Sequence, residues 1–128
     1  MKKMTDLKAC LKKLYSIVRL DSCWDGYHAK TISNKIYNLA KLVLEDQEFQ
    51  PEIFPTPNGT IQFTWQTKTV YLEAEILGNR IDVFVINEVG DNKLFSFFAH
   101  QYKIVKVITI LISQNKTNKV FELEESHY

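Results

Sequence analysis

At Asn58-Gly59 the spacing of the apolar residues in this chain changes, and the next three runs can fold only as strands. Ile61, Phe63 and Trp65 alternate with Gln62 and Thr64. Leu72, Ala74 and Ile76 alternate with Tyr71, Glu73 and Glu75, and Ile81, Val83 and Val85 with Asp82, Phe84 and Ile86. A period of two sends successive side chains to opposite faces of a sheet. The runs predict strands over 60–66, 69–77 and 80–87, with Gly78-Asn79 as a two-residue hairpin that has Gly at its first turn position. A looser turn over 88–92 leads to a fourth strand at 93–98. In the third run the alternate residues are themselves partly apolar, so that strand is expected to be covered on both faces for part of its length.

Upstream the period is helical. Leu7, Cys10, Leu11, Leu14, Ile17 and Val18 share one face of a helix over 5–20, with Cys10 in the core and Lys8, Lys12, Lys13 and Arg19 largely on other faces. Ser33 is suited to N-cap a second helix that runs to about Asp46, stapled by Ile32 and Tyr37. Between the helices and the strands, Pro51, Pro55 and Pro57 lack ladder donors, which excludes a central strand and predicts an extended arm. Over 102–113 the Ile, Val and Thr content favours a strand, but spacing favours a helix with Lys103, Lys106, Thr109 and Ser113 on its polar stripe. The tail around Val120, Phe121 and Leu123 reads as an edge strand or as frayed chain. The order ααββββα makes an α+β fold, an antiparallel three- to four-stranded meander with helices packed on one face. With 128 residues, 45% of them hydrophobic, residues 1–128 are expected to form a single domain around one core. Within it, 1–50 is the helical layer, 51–99 the sheet, 100–115 the C-terminal helix and 116–128 a tail.

The cellular setting is read from the residues that interrupt the apolar runs. Lys8, Lys12 and Lys13 break any signal-like core after the basic start, and the most apolar stretch, 104–112, holds Lys106 and falls far short of the roughly 20 apolar residues of a membrane span. Cys10 and Cys23 suit a reducing compartment and are too few for a structural zinc site. A cytoplasmic protein without a membrane anchor, metal or cofactor is expected. The net charge is only +1, but its distribution is uneven. Residues 1–41 carry nine Lys/Arg against three Asp/Glu, residues 42–92 two against nine, and residues 93–119 five against none. A basic helical layer over an acidic sheet layer is expected, an arrangement that steers charged partners.

Two loops hold the least ordinary residues. Trp24-Asp25-Gly26-Tyr27-His28-Ala29 precedes Ile32-Ser33, and Pro55-Thr56-Pro57-Asn58-Gly59 precedes the first strand and Leu72-Glu73-Ala74-Glu75-Ile76. Between residues 24 and 76 this resembles a family of small bacterial proteins, common near mobile and defence genes, with WDGYxA, PIS, PTPDG and LExEI segments. Thr31 stands where that family tends to have Pro, and Asn58 where it tends to have Asp. The family has no assigned activity, so the resemblance implies a bacterial or mobile-element setting and an antitoxin-like or defence-accessory role, with no catalytic residues to carry over.

Three functional classes remain. The first is a non-enzymatic protein-interaction module in which Trp24, Asp25, Tyr27, His28, Phe54 and Asn58 form a rigid aromatic patch for a protein partner. The bland counterpart is that Trp24 and Tyr27 cover the end of the core with their polar atoms outward. The second class is nucleic-acid binding through Lys8, Lys12, Lys13 and Arg19, a stripe able to neutralise phosphates although no recognition motif accompanies it. The third, a small metal-dependent hydrolase, would draw on Asp21, Asp25 and His28 with Glu73 and Glu75 and needs them to converge, although Glu73 and Glu75 on an amphipathic strand read first as solvating residues. No phosphate loop, HExxH or GxSxG segment occurs, and the three histidines have no ligand spacing, so no catalytic residue is assigned. A homodimer through the fourth strand or the last helix is compatible with each class.

Overall fold

The computed structural model describes residues 2–3, 6–26 and 29–123. Its elements follow the order β1 (Lys2–Lys3), α1 (Leu7–Val18), α2 (Asn34–Asp46), β2 (Phe49–Gln50), β3 (Glu52–Pro55), β4 (Ile61–Gln66), β5 (Val70–Ile76), β6 (Arg80–Asn87), β7 (Asn92–Phe98), α3 (Ile104–Ser113) and α4 (Thr117–Phe121). The fold is α+β, with an antiparallel meander that the helices cover on one face. The sheet has five strands, β3-β4-β5-β6-β7, one more than expected, and β1 pairs separately with β2.

The extra strand comes from the proline-rich arm. Pro51 precedes β3 and Pro55 ends it, and β3 lies at the sheet edge, so each missing donor falls where the ladder stops or faces outward. Register is continuous across the sheet, with Ile53 opposite Phe63, Phe63 opposite Ala74, Ala74 opposite Val83 and Val83 opposite Phe95. All five of these side chains are buried on the inner face. Burying an aliphatic or aromatic side chain of this size contributes about 1.5–3 kcal/mol, so this face supplies a large share of the fold's driving force. Phe63 meets Trp65 edge to face at a centroid distance of 6.0 Å, and the Trp65 indole Nε1 donates to the Phe49 carbonyl at 2.8 Å, which ties β2 to the sheet.

The helices bring their apolar stripes to that face. α1 buries Cys10, Leu14 and Ile17, and the Cys10 thiol donates to the Pro51 carbonyl at 3.6 Å, which places the helix beside β3. Ser33 caps α2 as expected by accepting the Ile36 N–H, and α2 buries Leu39, Ala40, Val43 and Leu44. The segment of mixed propensity is a helix, α3, entered through a 3₁₀ turn at Ala99–Gln101. Its rotation differs from the expected polar stripe. Thr109 is wholly buried, while Val107 is about half exposed. The Thr109 hydroxyl donates to Gln47 Oε1 at 2.9 Å, a bond from α3 to the end of α2 that spans 62 residues of sequence. Gln47 is itself fully buried, and its Nε2 has no partner.

The tail is neither an edge strand nor frayed through residue 123. α4 buries Val120, and Lys93, which points to the helical side from β7, donates its ammonium to the Phe121 and Leu123 carbonyls at 3.0 and 2.6 Å. These carbonyls end a helix and lack partners within it, so a cation there satisfies both hydrogen bonding and the helix dipole. No described helix is long and apolar enough to cross a membrane.

The buried Thr109–Gln47 pair gives a direct test. Thr109→Val keeps shape but leaves Gln47 Oε1 without its donor, an expected loss of about 1–3 kcal/mol. Thr109→Val combined with Gln47→Leu removes both polar partners and should recover most of that loss. Urea unfolding of the two variants, with midpoints compared at constant m-value, measures the difference.

Candidate functional site

The two unusual loops meet at one end of the sheet. The chain after Trp24 closes on itself, because the Cys23 N–H donates to the Ala29 carbonyl at 2.7 Å and the Ala29 N–H to Asp25 Oδ1 at 3.3 Å. The next residue crosses to the other loop, with the Lys30 N–H donating to the Pro57 carbonyl at 2.9 Å. Gly59 makes this approach feasible. Its φ is +79°, and a Cβ there would lie 2.8 Å from the Thr31 carbonyl oxygen. Gly26 also has positive φ, +83°, but faces open space.

A hydroxyl chain continues from the turn into the sheet. Thr56 and Thr60 share a hydrogen bond between their hydroxyls, and Thr60 Oγ1 donates to Glu75 Oε2 at 2.7 Å. The segments around residues 24–31, 55–60 and 72–76 are thus one connected structure. Within it Asp25 serves its own loop and Asn58 is exposed at the turn. The Trp24 indole is half-buried and its Nε1 is buried without a hydrogen-bond partner, which corrects the expectation that its polar atom faces out. Tyr27 and His28 lie outside the described residues.

Phe54 belongs to a different surface, the sheet face that no helix covers. There it heads a cross-strand row through Gln62, Glu75, Asp82 and Ser96. The adjacent row is Glu52, Thr64, Glu73, Phe84 and Leu94, and the next brings Tyr71 beside Ile86. This face is divided across the strands. β5 supplies Glu73 and Glu75, β6 supplies Phe84 and Ile86, and β7 supplies Leu94 and Phe98. Phe54, Leu94 and Phe98 are 40%, 62% and 42% exposed, so three of the seven large apolar side chains most exposed among the described residues lie here. Phe54 lies at the opposite sheet edge from β7, and the adjoining apolar residues are Phe84 and Ile86 with Leu94. Single exposed apolar residues are ordinary, whereas such an adjoining group marks an interaction surface.

The charges on this face are unevenly paired. Asp82 Oδ1 accepts from Arg80 Nε at 3.2 Å and from the Ser96 hydroxyl at 2.7 Å. Among the described residues the only other ion pair is Lys119–Glu122, so Glu73 and Glu75 face no cation. Glu73 accepts instead from the Tyr71 hydroxyl at 2.9 Å, and burial together with that acceptor pushes the Tyr71 phenol above its ordinary pKa. Sequence alone casts Glu73 and Glu75 as solvating residues and gives no link between them and β7. Only the strand register brings Glu73 beside Phe84 and Leu94, and Glu75 beside Asp82 and Ser96.

The remaining candidate residues are dispersed. Lys8, Lys12, Lys13 and Arg19 are exposed along α1. The Lys13 ammonium lies 5.4 Å from the centre of the Phe54 ring, and Arg19 lies over Tyr15 while donating to its hydroxyl at 3.1 Å. Asp25 accepts from the Ala29 N–H of its own loop, while Glu75 and Glu73 accept from the Thr60 and Tyr71 hydroxyls. Among the described residues no three His, Cys, Asp or Glu side chains are grouped closely enough to hold a metal ion.

No protein-family model, curated protein or solved structure matches the chain. The chemistry of the surface itself is therefore the guide to its role.

The junction of the loops generates a paired prediction. Gly26→Ala should cost about 1 kcal/mol, the penalty of a left-handed conformation for an L-residue. Gly59→Ala adds a clash with the Thr31 carbonyl and should cost at least about twice as much. Thermal unfolding of both variants compares them, and equal losses would mean that the two loops are not held by this close approach.

Proposed function

We propose that the protein is a non-enzymatic protein-interaction module, of the antitoxin-like or defence-accessory kind implied by the motifs it resembles. One observation carries this reading: a five-stranded sheet covered by helices on one face and presenting Phe54, Leu94 and Phe98 to solvent on the other. An antiparallel sheet tolerates a solvated face, but such a face is normally polar. Here Phe84, Ile86, Leu94 and Phe98 interrupt the polar residues of β6 and β7, with Phe84 directly beside Leu94, and the strand ladder fixes their positions. A preformed apolar surface binds a protein with little ordering cost.

Nucleic-acid binding through α1 is the second reading, favoured by the exposed Lys8 and Lys12. The two readings differ in composition and salt response. The tagged full chain, purified at low salt from the cells that make it, should form a complex of fixed stoichiometry with another protein. Light scattering gives its mass, the ultraviolet absorbance ratio its nucleic-acid content, and mass spectrometry the partner. Leu94→Asp should release the partner while circular dichroism stays unchanged. A bare monomer, or added mass that is nucleic acid and dissociates with salt, would overturn the protein-interaction reading.

A further inference from the structure

Resting on that reading, we infer that the open sheet face receives an amphipathic helix of a partner protein, carrying Lys or Arg at positions i and i+4 on one flank and apolar side chains on its underside.

The dimensions and the chemistry both point to this occupant. β5 and β7 lie two strand spacings apart, about 10 Å, and an α-helix with its side chains is about 10–12 Å wide. A single helix laid along β6 rests on Phe84 and Ile86 and, level with Glu75, passes over Asp82, whose carboxylate is already paired with Arg80. It places one flank above Glu73 and Glu75 of β5 and the other above Leu94 and Ser96 of β7, with Phe98 one step beyond, opposite Arg80. Along the strand, Glu73 and Glu75 are two residues apart, about 7 Å. Residues i and i+4 of a helix are about 6 Å apart along its axis, so two cations on one flank meet both carboxylates.

The charge on the face selects the partner. Among the described residues Glu73 and Glu75 have hydroxyl donors but no ion pair, whereas Asp82 already has Arg80. A second copy of this chain, laid face to face, brings the same two carboxylates and an arginine already paired with Asp82. An acidic or neutral helix leaves the β5 carboxylates desolvated without compensation, at a cost that favours the basic partner.

The test uses the full chain and two 18-residue amphipathic helical peptides, one of Leu and Lys with the lysines at i and i+4, the other with Glu replacing every Lys. Nuclear magnetic resonance titration should show the Leu/Lys peptide shifting amides of β5, β6 and β7, centred on Glu73, Phe84 and Leu94. Glu73→Gln with Glu75→Gln should weaken this binding about tenfold at low salt, and less at high salt, where the attraction is screened. Glu73→Lys with Glu75→Lys should reverse the preference toward the Leu/Glu peptide, and Leu94→Ser should weaken both. Equal binding of the two peptides to the wild-type chain, shifts confined to α1, or self-association through this face would overturn the inference. The Glu73→Gln, Glu75→Gln variant is also carried into the purification from the producing cells. If a protein partner is found but stays bound to that variant, the interaction reading stands and the basic-helix inference falls. If no protein partner is found, the interaction reading itself fails.

Discussion

The rest of the structure depends on continuous antiparallel register, which forces every side chain of the sheet to one of two faces. Strand pairing from β3 to β7 places Ile53, Phe63, Ala74, Val83 and Phe95 in one row without a break. A slip of one residue in any strand would exchange a buried row for a half-exposed one. The hydrophobic effect therefore fixes the register through the inner face alone. The composition of the outer face is free of that demand, and this is where carboxylates and exposed aromatic rings can collect without loss of stability. The separation of Glu73 and Glu75 on β5 from Leu94 and Phe98 on β7 is a by-product of register in its geometry, though not in its chemistry.

The loops at the sheet end obey a different constraint. Lys30 and Pro57 join their backbones at a point where Gly59 admits the Thr31 carbonyl. From there the Thr56, Thr60 and Glu75 side chains continue the connection to β5. Segments that look like separate motifs in the sequence are thus parts of one hydrogen-bonded corner. That arrangement explains why residues of these types occur together without assigning them chemistry. It also shows Glu75 in two settings, anchored through one oxygen to the corner and presented on the open face.

Much of the architecture is legible in the sequence because the periods are clean. β6 spans Arg80–Asn87 as the alternation requires, and β4, β5 and β7 lie within about a residue of their expected bounds. Ser33 marks its helix because a hydroxyl beside an unpartnered N–H is a local interaction. Relations between distant segments are beyond the reach of such local signals. Pro51 and Pro55 obscure β3, since their compatibility with a strand depends on its being short and at an edge. Thr109 falls on the polar stripe of its own helix and becomes a buried residue only because Gln47 lies opposite it. Proximity to prolines groups Phe54 with the loop residues, yet alternation sends it to the uncovered face. The join of Glu73 with Leu94 needs the register of three strands at once.

The Thr109 hydroxyl has a further consequence for the uniqueness of the native state. Seven of the ten residues of α3 are Ile, Val or Leu, and both Val107 on its outer side and Ile108 on its inner side are hydrocarbons. Such a helix could roll about its axis and exchange one greasy stripe for another at small energetic difference, a degeneracy that leaves a core poorly ordered. Gln47 breaks it. Only one rotation brings a hydroxyl to the buried amide, and every other buries that amide with both its polar atoms unsatisfied. The pair gives the helix an angular address, so a layer that hydrophobicity alone would leave fluid settles into a single arrangement.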